Sequence, residues 1–263
     1  MNLRGIAVLA LAFAADLAAA DPAAPIGIVV MHGKADSPVG LVAPLVGALE
    51  LQGYLVANLE MPWSVRRNYD TGVAQTDAEV AAAIGKLRAR GAQRVFVAGH
   101  SIGGAYVFHY GTLCGCDGII SIAGGSVATT GYGKRLFADY VERARQLIAE
   151  GKGNQRSAFI ENLGGQRGWT IYTTPVNYLD WFAFDGPMNI PQAIHAMNPA
   201  LPVLIVSPTG DGQMPENQGE RLFAQLPPNP LNRIVRPSGD HLSAPLVSID
   251  AIARWTHEVA AAR

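Results

Sequence analysis

The sequence predicts an α/β fold: a mostly parallel six-stranded sheet with helices on both faces, interrupted by one insertion. Three observations carry this. Short apolar and β-branched runs alternate with longer segments of helical period, the pattern of strands joined by crossover helices. That alternation lapses once, for about eighty residues between Gly124 and Pro202, far beyond the dozen or two of an ordinary crossover. The chain of 263 residues is also long enough for one well-buried domain with an insertion, and short for two independent cores.

The elements follow in order. Ile26 to Met31 is the first strand, and Tyr54 to Asn58, Arg94 to Ala98, Gly118 to Ile122, Val203 to Ser207 and Asn232 to Val235 are the others. Between the first two, Val39 to Gln52 repeats leucines and valines at three and four, with Gly53 as the helix stop. Thr76 to Arg90 repeats the arrangement, with Thr76 and Glu79 spaced as a capping box and Gly91 as the stop. A third helix begins just after Ser101, and Leu246 to Ala261 closes the chain. The insertion, about residues 131–199, holds a helix from Arg135 to Ala149, a glycine-rich stretch and then the aromatics Trp169, Tyr172, Tyr178, Trp181, Phe182 and Phe184.

Composition narrows the class of function. A net charge of −1 with 16% charged residues gives no basic footprint, which excludes nucleic acid as a partner. Arg4, the apolar run Gly5 to Ala15 and the small residues Ala18-Ala19-Ala20 read as an export signal cleaved after Ala20, so residues 21–263 form the mature domain, secreted or periplasmic. The apolar run is too short to span a bilayer and Asp16 interrupts its flank. Cys114 and Cys116, the only cysteines, are either bridged across one residue or two packed thiols. No His-Glu-x-x-His occurs, and no metal or cofactor is expected.

The chemistry concentrates at three places. The strand Arg94 to Ala98 runs into Gly99-His100-Ser101-Ile102-Gly103-Gly104, a G-x-S-x-G between strand and helix. A sharp turn there would lift the serine above the sheet, and side chains two positions either side would collide, so both positions are glycine. The hydroxyl then sits at a helix N-terminus, with the Ile102 N–H as an oxyanion donor. A nucleophilic serine needs a base and an acid that holds the base in the right tautomer, in the chain order Ser, Asp, His. Asp211 follows the fifth strand and His241 the sixth, both at carboxyl ends where ligands collect in open α/β sheets. Asp240 adjoins His241, but neighbours in an extended segment point to opposite sides. Asp180 and Asp185 belong to the insertion. His109 and His257 lie within helices, His195 in the insertion and His100 in the elbow, and each is read as structural. A second oxyanion donor belongs in the loop after the first strand, where His32-Gly33-Lys34 stands.

With the elbow at Ser101, the post-strand Asp211, the loop His241 and the His32-Gly33 pair, the mature chain resembles the α/β-hydrolase superfamily in its esterase or lipase-like branch. The resemblance implies a serine hydrolase that cleaves an ester through an acyl-enzyme on Ser101, with no cofactor and a small-molecule acyl substrate. It maps the second oxyanion donor onto Lys34, whose side chain is expected in solvent, and it makes the insertion a lid. Trp181 and Phe184 are then candidates for an apolar acyl site, the alternative being that the aromatics glue lid to body. Amidase, peptidase and thioesterase chemistry would use the same three residues, and a binding protein on a disabled hydrolase fold is the reading from a different class. The antiparallel strands that often open this fold are missing, which implies a compact six-stranded form. A serine at position 101 also argues against dehalogenases and epoxide hydrolases, whose nucleophile is an acid.

Overall fold

A computed structural model describes residues 25–113, 115–125, 131–162 and 168–262. The expected export signal and its cleavage point lie outside the described residues, as does Cys114. Cys116 is disulfide-bonded, which excludes the reading of two free thiols.

Six strands form one wholly parallel sheet: β1 (Ile26–Met31), β2 (Leu55–Leu59), β3 (Arg94–His100), β4 (Gly118–Ile122), β7 (Val203–Val206) and β8 (Arg233–Val235), in the order β2-β1-β3-β4-β7-β8. Parallel pairing demands a crossover between successive strands. The helices α1 (Ala43–Leu51), α2 (Val73–Ala89), α3 (Ile102–Tyr110) and α7 (Gln218–Phe223) provide four of them. In the central strands alternate side chains enter different cores. Val29, Met31, Val95, Val97, Val203 and Ile205 join one cluster with Val80, Ile84 and Leu87 of α2 and Tyr106 of α3. Ile28, Val30, Phe96, Ala98, Leu204 and Val206 join the other, with Leu45 and Leu49 of α1. Ile252, Trp255 and Val259 of the closing helix α9 (Ile249–Ala261) complete that second cluster. Both faces are covered, which is why the strands read as continuous apolar runs.

Several boundaries move for identifiable reasons. β3 extends two residues past Ala98, straight into the elbow. Val39–Val42 stays out of α1 in consecutive turns, and Asp36 holds them by accepting from the Leu41 N–H at 3.1 Å. α2 begins at Val73, so the capping box expected at Thr76 and Glu79 is not formed. Thr76 instead bonds back to the Gly72 carbonyl within the first turn, and Glu79 pairs with Arg67. The cap comes from far away: the Val73 N–H donates to Asp180 Oδ2 at 3.2 Å. The closing helix is broken at Ser248, leaving the short α8 (Ala244–Val247) before α9.

Between β4 and β7 lie α4 (Gly131–Ala149), an antiparallel hairpin of β5 (Ser157–Glu161) and β6 (Trp169–Thr173), α5 (Pro175–Phe182) and α6 (Ile190–Ala196). None of them joins the main sheet. The hairpin is unforeseen in the sequence because the residues buried from β5 are Phe159 and Glu161, so a carboxylate sits where alternation calls for an apolar side chain. Thr174 starts α5 as an N-cap, its side chain accepting from the Asn177 N–H at 3.2 Å, with Pro175 in the first turn. α5 turns Trp181 onto the body, where its indole meets Trp63 at 5.5 Å and Tyr69 at 5.9 Å and donates to the Thr71 carbonyl.

Candidate active site

Ser101 stands between β3 and α3 with φ 56° and ψ −114°, a conformation disfavoured for any residue with a Cβ. Close packing enforces it. A Cβ at Gly99 would lie 2.2 Å from the Gly103 carbonyl oxygen, and one at Gly103 would lie 2.9 Å from that of His32. The Ser101 N–H donates to the Ile122 carbonyl at 2.9 Å, tying the turn to β4. Ile102 is the first residue of α3, so its N–H has no partner within the helix.

The ends of β7 and β8 bring the other two residues to this point. His241 Nε2 lies 2.9 Å from Ser101 Oγ, and His241 Nδ1 lies 2.9 Å from Asp211 Oδ2. The chain Ser101–His241–Asp211 is thus continuous through both ring nitrogens. It fixes the tautomer: Nδ1 carries the proton that Asp211 accepts, and Nε2 is free to accept from the serine hydroxyl. The other Asp211 oxygen accepts from the Gln213 and Met214 N–H groups at 3.0 and 3.2 Å. Burial pushes this carboxyl up, but the hydrogen bond and charge of His241, with the two backbone donors, outweigh it and hold Asp211 below its ordinary value. A cavity of about 280 Å³ beside it is lined by polar groups such as Ser207, Thr209, Gln218 and Arg236. Asp240 turns away, its Oδ1 accepting from the Ser243 N–H and hydroxyl at 2.8 and 2.7 Å.

His100 does more than fill the elbow. Its ring lies 5.0 Å from that of His241, and its Nε2 bonds to the His241 carbonyl oxygen at 2.9 Å. The carbonyl can only accept, so Nε2 carries a proton and donates it. Burial, and then the neighbouring His241, lower its pKa to about 4. The sequence contains the residue but not this contact, which spans 141 positions.

The loop after β1 presses against the elbow from the other side. A Cβ on Gly33 would come within 3.0 Å of His100 Nδ1 and 3.4 Å of Ser101 Cβ. His32 is buried and locks the loop: its Nε2 accepts from the Met61 N–H at 3.0 Å, leaving Nδ1–H for the Gly33 carbonyl at 2.7 Å. Its own carbonyl accepts from the Trp63 indole at 2.8 Å. Ala35 N–H donates to the Trp63 carbonyl, whereas the Lys34 N–H has no partner among the described residues. The Lys34 side chain is not in solvent as expected. Its Nζ lies 2.9 Å from Oε1 of the fully buried Glu161, because the hairpin folds over it and brings an acceptor that no local pattern announces.

Trp181 and Phe184 are not brought to the serine in the same way. Trp181 is 3% exposed within the main cluster, and Phe184 packs partly buried against that cluster. Among the described residues no group of three or more His, Cys, Asp or Glu side chains is placed to hold a metal, and no helix is long and apolar enough to cross a membrane.

No family model matches the sequence, and no curated protein matches it by sequence. Solved structures do match by shape. A monoacylglycerol lipase from Paleococcus ferrophilus shares 19% identity with a TM-score of 0.60, over 90% of this chain and 96% of its own. Est1E from Butyrivibrio proteoclasticus, with bound ferulic acid, shares 16% identity with a TM-score of 0.61 over 92% of each chain. An alpha/beta hydrolase, GrgF, from Penicillium sp. sh18 shares 12% identity with a TM-score of 0.66, over 90% of this chain and 89% of its own. With six parallel strands, helices on both faces and this likeness over nine-tenths of its length, the chain has the α/β-hydrolase fold.

Proposed function

We propose that the protein is a serine hydrolase acting on carboxylic esters through an acyl-enzyme on Ser101. The observation that carries this reading is the unbroken hydrogen-bonded chain from Ser101 Oγ through both nitrogens of His241 to Asp211, with 2.9 Å at each step. A serine held at a strained backbone angle, with an imidazole in hydrogen-bond reach and a carboxylate orienting it, is the arrangement acyl transfer requires.

The steps follow from the geometry. Ser101 Oγ attacks the ester carbonyl carbon while its proton passes to His241 Nε2. The imidazolium so formed keeps its Nδ1 proton on Asp211, which stays ionised. Negative charge gathers on the former carbonyl oxygen, facing the N–H groups of Ile102 and Lys34. Collapse breaks the bond to the leaving alkoxide, which takes the proton from Nε2 and departs as the alcohol. Water then gives a proton to the same nitrogen, attacks the acyl carbon and releases the acid, returning the proton to Ser101. The insertion between β4 and β7 acts as a lid, and Phe184 at its margin is the stronger of the two aromatic candidates for the acyl site, since Trp181 is committed to packing. Hydrolysis of the acyl-enzyme by water makes the overall reaction ester plus water to acid plus alcohol.

Turnover of p-nitrophenyl esters of increasing chain length, by the intact protein and by Ser101→Ala, tests the reading. The variant should fold normally and lose activity by on the order of 10⁴-fold or more. A fluorophosphonate should label the intact protein and not Ser101→Ala; an intact protein that takes no label would be a binder rather than a catalyst, and turnover retained by Ser101→Ala would overturn the mechanism.

A further inference from the structure

The Lys34–Glu161 ion pair links two segments that the main sheet holds apart, the loop beside the serine and the hairpin of the insertion. Glu161 is 0% exposed and Lys34 13%. Every oxygen of the carboxylate is engaged: Oε1 takes Lys34 Nζ at 2.9 Å and the Asn162 N–H at 2.6 Å, and Oε2 takes the Tyr69 hydroxyl. Nζ also donates to the Asn162 carbonyl at 2.6 Å. Tyr69 is itself fixed in the left-handed region, φ 56°, with its N–H on the Pro62 carbonyl and its carbonyl accepting from Thr173 and Asn177 of the insertion.

Such a pair is a poor source of stability. Desolvating two charges costs about as much as their attraction returns, and well-packed apolar replacements are often no worse. What a buried pair does provide is a fixed position for the atoms that bear it. Here the cation belongs to the residue whose backbone N–H has no partner among the described residues and which stands between Gly33, which abuts the elbow, and Ala35, which is bonded to Trp63.

We infer that Glu161 is a positioning residue: by holding Lys34 Nζ it orients the Lys34 peptide, so that the N–H is aimed at the oxyanion before substrate arrives. The insertion then contributes to the chemical step as well as to access. This rests on the reading of Ser101 as an ester-cleaving nucleophile. Preorganised donors act mainly on the transition state, and a displacement near 1 Å costs up to about 100-fold.

The test uses the full chain in three forms, Glu161→Gln, Lys34→Met and the double variant, with thermal melting recorded for each. For p-nitrophenyl butyrate, each single variant should lose about 10- to 100-fold in kcat with KM changed less than threefold. The inhibition constant of a trifluoromethyl ketone, whose adduct places an oxyanion at the same point, should rise by the same factor. The double variant is decisive, because removing both charges restores stability that either single variant loses. A melting temperature that recovers while kcat stays low supports positioning. Recovery of both together means the pair is only structural and overturns the proposal. Unchanged kcat in folded Glu161→Gln overturns it as well. Turnover that survives Ser101→Ala would instead bring down the reading of the site, and this proposal with it, so the two failures are told apart by one control.

Discussion

His100 Nε2 and the carbonyl oxygen of His241 are 2.9 Å apart, so the residue before the candidate nucleophile holds the backbone of the candidate base. The bond needs a proton on Nε2, and burial disfavours a second one on the ring. Burial and the His241 ring lower its pKa from 6.5 to about 4. In that interval the unfolded chain binds a proton that the folded protein excludes, and stability therefore falls as pH falls. The full loss, reached below the folded value, is about 3 kcal/mol. Urea unfolding of the intact protein at pH 7 and pH 4.5 should show most of it. His100→Gln keeps a donor without the titration, so its stability should change less across this window, the remainder falling to His32, whose pKa burial also lowers. Equal slopes in the two proteins would assign the acid sensitivity elsewhere. Asp211, held below its ordinary value of 3.8, contributes only at lower pH.

The choice of acid is tested by a pair of substitutions. Asp211→Asn should reduce kcat by on the order of 10⁴-fold, because an amide at 2.9 Å from Nδ1 favours the tautomer that cannot accept from Ser101. Asp240→Asn, in an exposed turn with Ser243, should leave kcat within about twofold, since surface substitutions of this kind touch no reacting group. Reversed effects would identify Asp240 as the orienting acid.

Trp181 and Phe184 should separate. Trp181→Ala empties a site packed by Trp63, Tyr69 and Tyr106 and should cost about 3 to 5 kcal/mol of stability, with the ester chain-length profile unchanged. Phe184→Ala should lower the melting temperature less and shift relative kcat/KM between short and long esters by roughly tenfold. A shifted profile in Trp181→Ala would put its indole in the acyl site after all.

We further propose that the protein is exported and begins at Asp21 once processed. N-terminal sequencing of material recovered outside the cytoplasm should read Asp-Pro-Ala-Ala. Exported protein that still starts at Met1 would refute it.

What the sequence made legible is what local patterning controls. The main strands were readable because a strand buried on both faces is a continuous apolar run, and Ile26–Met31 and Gly118–Ile122 fall where the pattern ends. The elbow was readable because Gly99 and Gly103 answer a steric demand within five residues. That Asp211 and His241 would reach the elbow was readable because each follows a strand at the same edge of the sheet. Contacts made across the chain were not. Asp180 caps α2 from 107 residues away, and Lys34 reaches the Asn162 carbonyl across 128. The nearest local hint was a lone glutamate in Ser157-Ala158-Phe159-Ile160-Glu161, and that same carboxylate masked the strand by breaking its alternation.

On the proposed mechanism, the order of the sheet also sets when the molecule becomes able to act. Ser101 and His241 are 140 residues apart, and the segment that bears His241 follows β8, an edge strand and the last in chain order among the described residues. With β1, β2, β3 and β4 paired and the elbow formed, the proposed nucleophile still lacks the imidazole that would draw its proton. Unlike a site built within one hairpin, one divided in this way stays chemically silent on the proposed mechanism until the segment after β8 has docked, together with the closing helix that seals the second core.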